Sequence, residues 1–209
     1  MQPNGIIFIL SAPSGTGKTT VCKLLKQKLP DLKFSISHTT REPRDGEAEG
    51  TAYHFISQKE FEKKITRGEF LEWAKVHKKC YGTTFESADR HRQNGEDVLI
   101  ELDVQGAQSL RDINYKAVFI FMMPPSLEEL KTRLNKRGTE STSKIQDRLE
   151  TSKKEMQQSP LYDYILTNSD TEETTNNLIS IITAEHSRKE WYKPSSPDLK
   201  NLMNHKVNS

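Results

Sequence analysis

Cysteine is scarce in this chain. Cys22 and Cys80 are the only two in 209 residues, far apart and in no CxxC pattern. No disulfide framework or cysteine-based zinc site is indicated, and a reducing, cytoplasmic setting is the expectation. Membrane-length apolar segments are also lacking. The run Ile6-Ile7-Phe8-Ile9-Leu10 is too short to cross a bilayer, and the N-terminus lacks the basic stretch and long apolar run of a secretion signal. Neither sign of charge is in excess. Lys and Arg total 31 against 29 Asp and Glu, a formal charge of +2, which argues against a general nucleic-acid or membrane binder. With 33% hydrophobic and 29% charged residues, the chain reads as one domain with a compact core, broad solvated surfaces and room for a small insertion.

The order along the chain is that of an α/β protein. Apolar strand candidates lie at 6–10, 97–102, 116–122 and 163–167. Helical spacing appears at 17–29 (Val21, Leu24, Leu25, Leu29), at 126–136 (Leu127, Leu130, Leu134) and at 172–190. Strands alternating with helices predict a parallel sheet with helices on both faces. Residues 34–85 break the rhythm. Short alternating pieces, Phe34-Ser35-Ile36-Ser37 and Phe70-Leu71-Glu72-Trp73, flank a helix near 58–67 that ends by Gly68, and together they predict an inserted α+β lobe with its own sheet. Residues 137–159, polar and cationic, predict a helical flap weakly anchored to the core. The tail at 191–209 is expected to lack fixed structure.

The stretch SAPSGTGKTT (residues 11–20) follows the first strand and opens the first helix. Gly15, Gly17, Lys18 and Thr19 supply most of the pattern GxxxxGK[ST], with Ala12 where the strict pattern begins with glycine. Such a loop lets backbone N–H groups converge on phosphate oxygens, while the lysine reaches the outer phosphates and the hydroxyl meets magnesium. The stretch therefore predicts a nucleoside triphosphate site. Further on, Arg41 and Arg44 flank Pro43, and a pair of guanidinium groups in a rigid loop suits a second phosphate, with Tyr53 and Tyr81 as further donors. The strand 97–102 leads to Glu101 and Asp103, acids of the kind that approach magnesium beside a phosphate loop. His38, His54 and His77 are read as structural or exposed.

The runs SAPSGTGKTT, SxTTRxPRxGExxGxxYxF (37–55), EFLEWA (69–74), YGT (81–83), LDVQGA (102–107) and RGTE (137–140) resemble the guanylate kinase family in order and spacing, over residues 5–185. The resemblance implies a P-loop three-layer parallel-sheet core (5–33 and 86–190), an inserted GMP-binding lobe (34–85) and a helical lid (about 137–159). It implies transfer of the ATP γ-phosphate to GMP, and to dGMP, with Mg²⁺ as cofactor, in purine nucleotide metabolism. By resemblance Ala12, Pro13, Ser14, Gly15, Thr16, Gly17, Lys18 and Thr19 hold the ATP phosphates and Asn168 contacts its adenine. Arg41, Arg44, Tyr53 and Tyr81 hold the GMP phosphate, Ser37, Glu72, Thr83 and Asp103 read guanine, and Gly46 and Glu47 belong to the same lobe. Lys18, Arg137 and Arg148 are the implied catalytic groups, Arg133, Arg137 and Arg148 the lid arginines, and Thr19 the direct metal ligand, with Glu101 and Asp103 reaching the ion through water. The family often has Asp at position 101, and this chain has Glu.

The chemistry of guanine fits that assignment. Its N1–H and N2 amino group are adjacent donors that one carboxylate can accept, and hydroxyls can donate to O6. Adenine mismatches on both counts, and unpaired buried polar groups discriminate by roughly 10⁴–10⁵. No general base is needed, because the accepting phosphate oxygen is already ionised. The rival readings are a kinase for another monophosphate, which would need other base-reading residues, and a non-catalytic binding module, which would have lost the loop lysine and parts of the arginine set. A P-loop GTPase would carry an NKxD segment, and this chain has none. The expected partners are ATP and GMP, with no nucleic acid and no membrane, in a monomer or homodimer.

Overall fold

The computed structural model describes residues 5–76, 78–136 and 142–192, with Pro194, Ser196, Asp198 and Leu199. The core is a five-stranded, all-parallel sheet in the order β2 (Lys33–Phe34), β7 (Val98–Glu101), β1 (Ile7–Ser11), β8 (Val118–Met123), β9 (Tyr164–Thr167). A central parallel strand is covered on both faces and so reads as an unbroken apolar run. In β1 the alternation divides that run between two layers. Phe8 and Leu10, with Ile6 just before the strand, pack with Val21, Leu25, Leu178 and Ile182 under α1 (Lys18–Lys28) and α7 (Thr171–Glu185). Ile7 and Ile9 pack with Ala88, Ala107 and Leu110 under α3 (Phe85–Gln93) and α4 (Val104–Asp112).

A second, four-stranded sheet lies between β2 and α3. Its order is β4 (His54–Phe55), β3 (His38–Thr39), β6 (Lys79–Thr84), β5 (Phe70–Val76). Helix α2 (Gln58–Thr66) starts with a capping box made by Ser57 and Glu60, and its Phe61 stacks on Phe70 at 4.4 Å as the centre of a small separate core. The pairing of β5 with β6 slips between Phe70 and Glu72, so two residues of β5 oppose one of β6. This bulge lets both Leu71 and Glu72 be buried, one in the main core and the other toward Thr83.

The remaining described elements are α5 (Leu127–Lys136), α6 (Thr142–Met156) and a single 3₁₀ turn at Ser159–Leu161. Four sequence expectations change. Phe34, assigned to the insertion, pairs with Leu99 at the edge of the core sheet. The last helix ends at Glu185, not 190, although Trp191 still packs against the α1/α7 layer with Lys116 Nζ 4.1 Å from its ring centre, so the start of the tail is held. The flap is anchored over its described length: Leu149, with Ile145 and Met156, packs on Leu130 and Leu134 of α5. Helices α3 and α4 occupy stretches where no helix was expected; α3 buries only Ala88, whereas α4 carries Val104, Ala107 and Leu110 at helical spacing. Residues 137–141 of the expected lid, His77, and most of the tail past 192 lie outside the described residues. Among the described residues no helix is long and apolar enough to cross a membrane.

Candidate active site

The loop between β1 and α1 encloses a cavity of about 220 Å³, lined by Ala12, Pro13, Ser14, Gly15, Gly17, Lys18 and Thr19 together with Thr20. Gly15 and Gly17 take left-handed conformations, φ 91° and 102°, which L side chains adopt only at a cost. Gly17 caps α1, whose first turn holds no acidic side chain and no side-chain cap, leaving the helix N-terminus to an outside anion. The loop is braced from behind. The Asn168 side-chain amide donates to the Thr16 carbonyl at 2.7 Å, and Arg133 Nη1 donates to the same oxygen at 3.0 Å. Leu130 and Leu134 close on the far side of Gly15.

This bracing bears on three of the predicted residues. Thr16 is fully buried and its N–H donates to the Pro13 carbonyl, so neither its side chain nor its N–H faces the cavity. Asn168 is buried against the loop, its side-chain nitrogen engaged by the Thr16 carbonyl. Arg133 is tied to Glu129, Thr16 and Asn168, a strut beneath the loop and not a group carried on a lid.

A second cavity, of about 270 Å³, opens beside the first between the two sheets. Ser37, Tyr53, Glu72, Tyr81, Glu101, Asp103 and Lys18 line it, with Ala74, Gly82 and Leu102 as apolar walls. Three of the predicted base readers form one network: Glu72 Oε1 accepts from the Thr83 backbone N–H at 3.0 Å, and the Ser37 and Thr83 hydroxyls are 3.0 Å apart. Burial, with help from Asp103, pushes the Glu72 carboxyl up to about 7 despite its bonds from Thr83. Asp103 also caps α4, accepting from the Gly106 N–H at 2.8 Å. The rings of Tyr53 and Tyr81 stand 5.9 Å apart, and Arg41 lies over Tyr53, 5.4 Å from its centre. The Arg41 fork is met by both oxygens of Glu47, at 2.8 and 2.9 Å, which keeps that carboxyl below its usual range. Glu47 also accepts the Arg44 backbone N–H, so it is the internal partner of the arginine loop and not merely part of the lobe.

Lys18 belongs to both cavities. Its Nζ is 3.8 Å from Glu101 Oε2 and donates to the Leu102 carbonyl at 3.5 Å. Thr19 is exposed at the rim of the first cavity, while Glu101 and Asp103 line the second. A hydroxyl and two carboxylates are hard oxygen donors that suit magnesium. No cluster of three or more His, Cys, Asp or Glu side chains able to hold a metal occurs among the described residues.

From α6, Arg148 Nη2 donates to Ser14 Oγ at 2.6 Å, which places this predicted arginine against the loop. Arg137 lies outside the described residues. Sequence reasoning missed Glu155, one helical turn beyond Thr151 on the same helix. Burial, with help from Asp103, pushes its carboxyl up to about 7, and its Oε2 is buried without a hydrogen-bond partner. Its place in a run of lysines gave no signal of this. The thiol of Cys22 is raised well above its ordinary value by burial and by Glu101, which excludes it as a nucleophile.

Residues 5–185 match the model of the guanylate kinase family. The guanylate kinase of Geobacter metallireducens is 43% identical over 188 residues, covering 90% of this chain and 93% of that protein. The guanylate kinase of Neisseria gonorrhoeae is 46% identical over 180 residues, covering 86% and 88%. Among solved structures, guanylate kinase from Anaplasma phagocytophilum superposes with a TM-score of 0.77 at 30% identity, covering 99% of this chain and 97% of that one.

Proposed function

As the chain belongs to the guanylate kinase family and is thereby an ATP:GMP phosphotransferase, we propose that it works with magnesium, takes ATP on the β1–α1 loop and receives GMP in the cavity beside Glu72. The observation that carries this reading is the position of Lys18, which lines both cavities at once. Two nucleotides filling them would meet phosphate to phosphate at its ammonium group.

The transfer then needs alignment and charge. An ionised oxygen of the GMP phosphate attacks the γ-phosphorus in line. The bond from that phosphorus to the β–γ bridging oxygen breaks, and ADP leaves with the electron pair. Lys18 and the N–H groups at the start of α1 offset charge on the β- and γ-oxygens. Arg148 reaches the same place from α6, and Arg137 is proposed as its companion. Thr19 would hold magnesium directly and Glu101 and Asp103 through water, and the ion would supply positive charge against the negative charge that builds up during transfer. Arg41, Arg44, Tyr53 and Tyr81 would grip the GMP phosphate, with Arg41 exchanging Glu47 for the ligand. Glu72 accepts the N1–H and N2–H of guanine, and the Ser37–Thr83 hydroxyl pair donates to O6. The proposal extends to dGMP, because it assigns no group to the ribose 2′-hydroxyl, and to a role in returning GMP to the diphosphate pool.

ADP release from ATP and GMP, followed before and after chelation, tests the magnesium dependence. Activity abolished by EDTA and restored by excess magnesium supports the reading. Turnover that survives complete chelation overturns it.

A further inference from the structure

We infer that Gly106 is a positioning residue for guanine selectivity: the missing β-carbon in the first turn of α4 is what allows the Glu72 carboxylate to sit where it can meet the base. The inference rests on the proposed role of Glu72. Gly106 is buried, lies inside a regular helix and has no left-handed φ, so its backbone conformation does not call for glycine. Glycine is among the poorest helix formers, and alanine would serve the helix better. The reason lies in what faces it. A β-carbon at this position would come within 2.6 Å of Glu72 Oε2 and 3.1 Å of its Cδ, with Asp103 Oδ1 at 3.5 Å. Contacts under about 3 Å are not sustained by carbon, so the carboxylate would have to withdraw by several tenths of an ångström. It has little freedom to do so, because its other oxygen is held by the Thr83 N–H, and Thr83 is in turn held by Ser37. A binding group must keep its place to within about 0.5 Å to stay productive. The β5 bulge and the bare turn of α4 thus aim one carboxylate from two sides.

The test is a cycle of Gly106→Ala, Glu72→Ala and the double variant, with KM for GMP, KM for ATP and kcat measured on each full-length protein. Gly106→Ala is expected to raise KM for GMP about tenfold and narrow the preference for GMP over AMP. KM for ATP and kcat should stay within about threefold, a split that general loosening of the fold would not produce. In the Glu72→Ala background the same substitution should have no further effect, since the group it displaces is gone. If Glu72→Ala lowers selectivity but Gly106→Ala leaves KM for GMP unchanged, or acts equally in both backgrounds, the inference is overturned. If Glu72→Ala itself leaves selectivity unchanged, the base-reading role fails first. Should Gly106→Ala not fold alone, the double variant is expected to fold, and its failure to do so overturns the inference.

Discussion

On the proposed role of Glu72 in reading guanine, its raised carboxyl makes GMP binding sensitive to pH in a calculable way. Only the ionised form accepts both guanine donors, and in the free protein the group titrates at about 7. The apparent Kd should therefore scale as 1 + 10^(7 − pH), which gives a loss of about tenfold between pH 8 and pH 6. The GMP phosphate has its own second pKa near 6 and adds about twofold over that interval. Glu72→Gln separates the two: it should bind GMP weakly at pH 8 and lose only the phosphate's share at pH 6. In the complex the two N–H donors favour the ionised carboxylate, so kcat should be flatter with pH than Kd. Glu155, also raised to about 7, sits by the phosphate loop, which is why binding of GMP and not turnover is the assay, by calorimetry in buffers of matched ionic strength. Identical pH profiles for wild type and Glu72→Gln would refute the reasoning. Stability carries the opposite sign. Because the folded pKa lies above the unfolded one, ionising Glu72 costs the fold about 3 kcal/mol, a cost absent below pH 4.5 and complete above 7. Glu72→Gln should accordingly gain in relative stability from pH 4.5 to pH 8 in urea unfolding.

Other outcomes follow from the same geometry. Lys18→Ala should lower kcat by roughly 10²–10³-fold or more while GMP still binds, and loss of GMP binding would contradict the two-cavity arrangement. Arg41→Met should weaken GMP binding by about 2 kcal/mol, roughly thirtyfold, with ATP binding nearly unchanged; equal losses would place the acceptor phosphate elsewhere. Gly17→Ala must accommodate φ 102° and a β-carbon 2.6 Å from Asn168 Nδ2. It should lower stability by about 1–3 kcal/mol and weaken ATP binding, read from urea midpoints and nucleotide titration. Ser57→Ala breaks the capping box of α2 and should cost about 1 kcal/mol in urea unfolding.

The sequence made the core strands and the phosphate loop legible because a buried parallel strand must be apolar throughout and GTGKT has few other uses. Helices α3 and α4 were not legible. Only Ala88 is buried from α3, which leaves no stripe for periodicity to detect, whereas α4 does carry Val104, Ala107 and Leu110 at helical spacing, a signal too short to stand out beside the apolar strand before it. Tertiary contact decides both. Phe34 was misassigned because two residues of edge strand look the same whichever sheet they join. The bracing by Asn168 and Arg133 was hidden for another reason: both bond to a backbone carbonyl, the Thr16 oxygen, and no side-chain pattern announces such a bond. Glu155 was hidden among lysines, and the importance of Gly106 depends on a bulge 34 positions earlier in the chain.

The measurement that bears most directly on the account is ADP release from magnesium-ATP with GMP, dGMP, AMP, CMP, UMP and dTMP run in parallel on the wild-type chain. Turnover confined to GMP and dGMP is the predicted result, because only guanine satisfies Glu72 and the Ser37–Thr83 pair together. Comparable turnover with AMP or a pyrimidine monophosphate would contradict the guanine site, and no turnover with any of them would contradict the transfer itself.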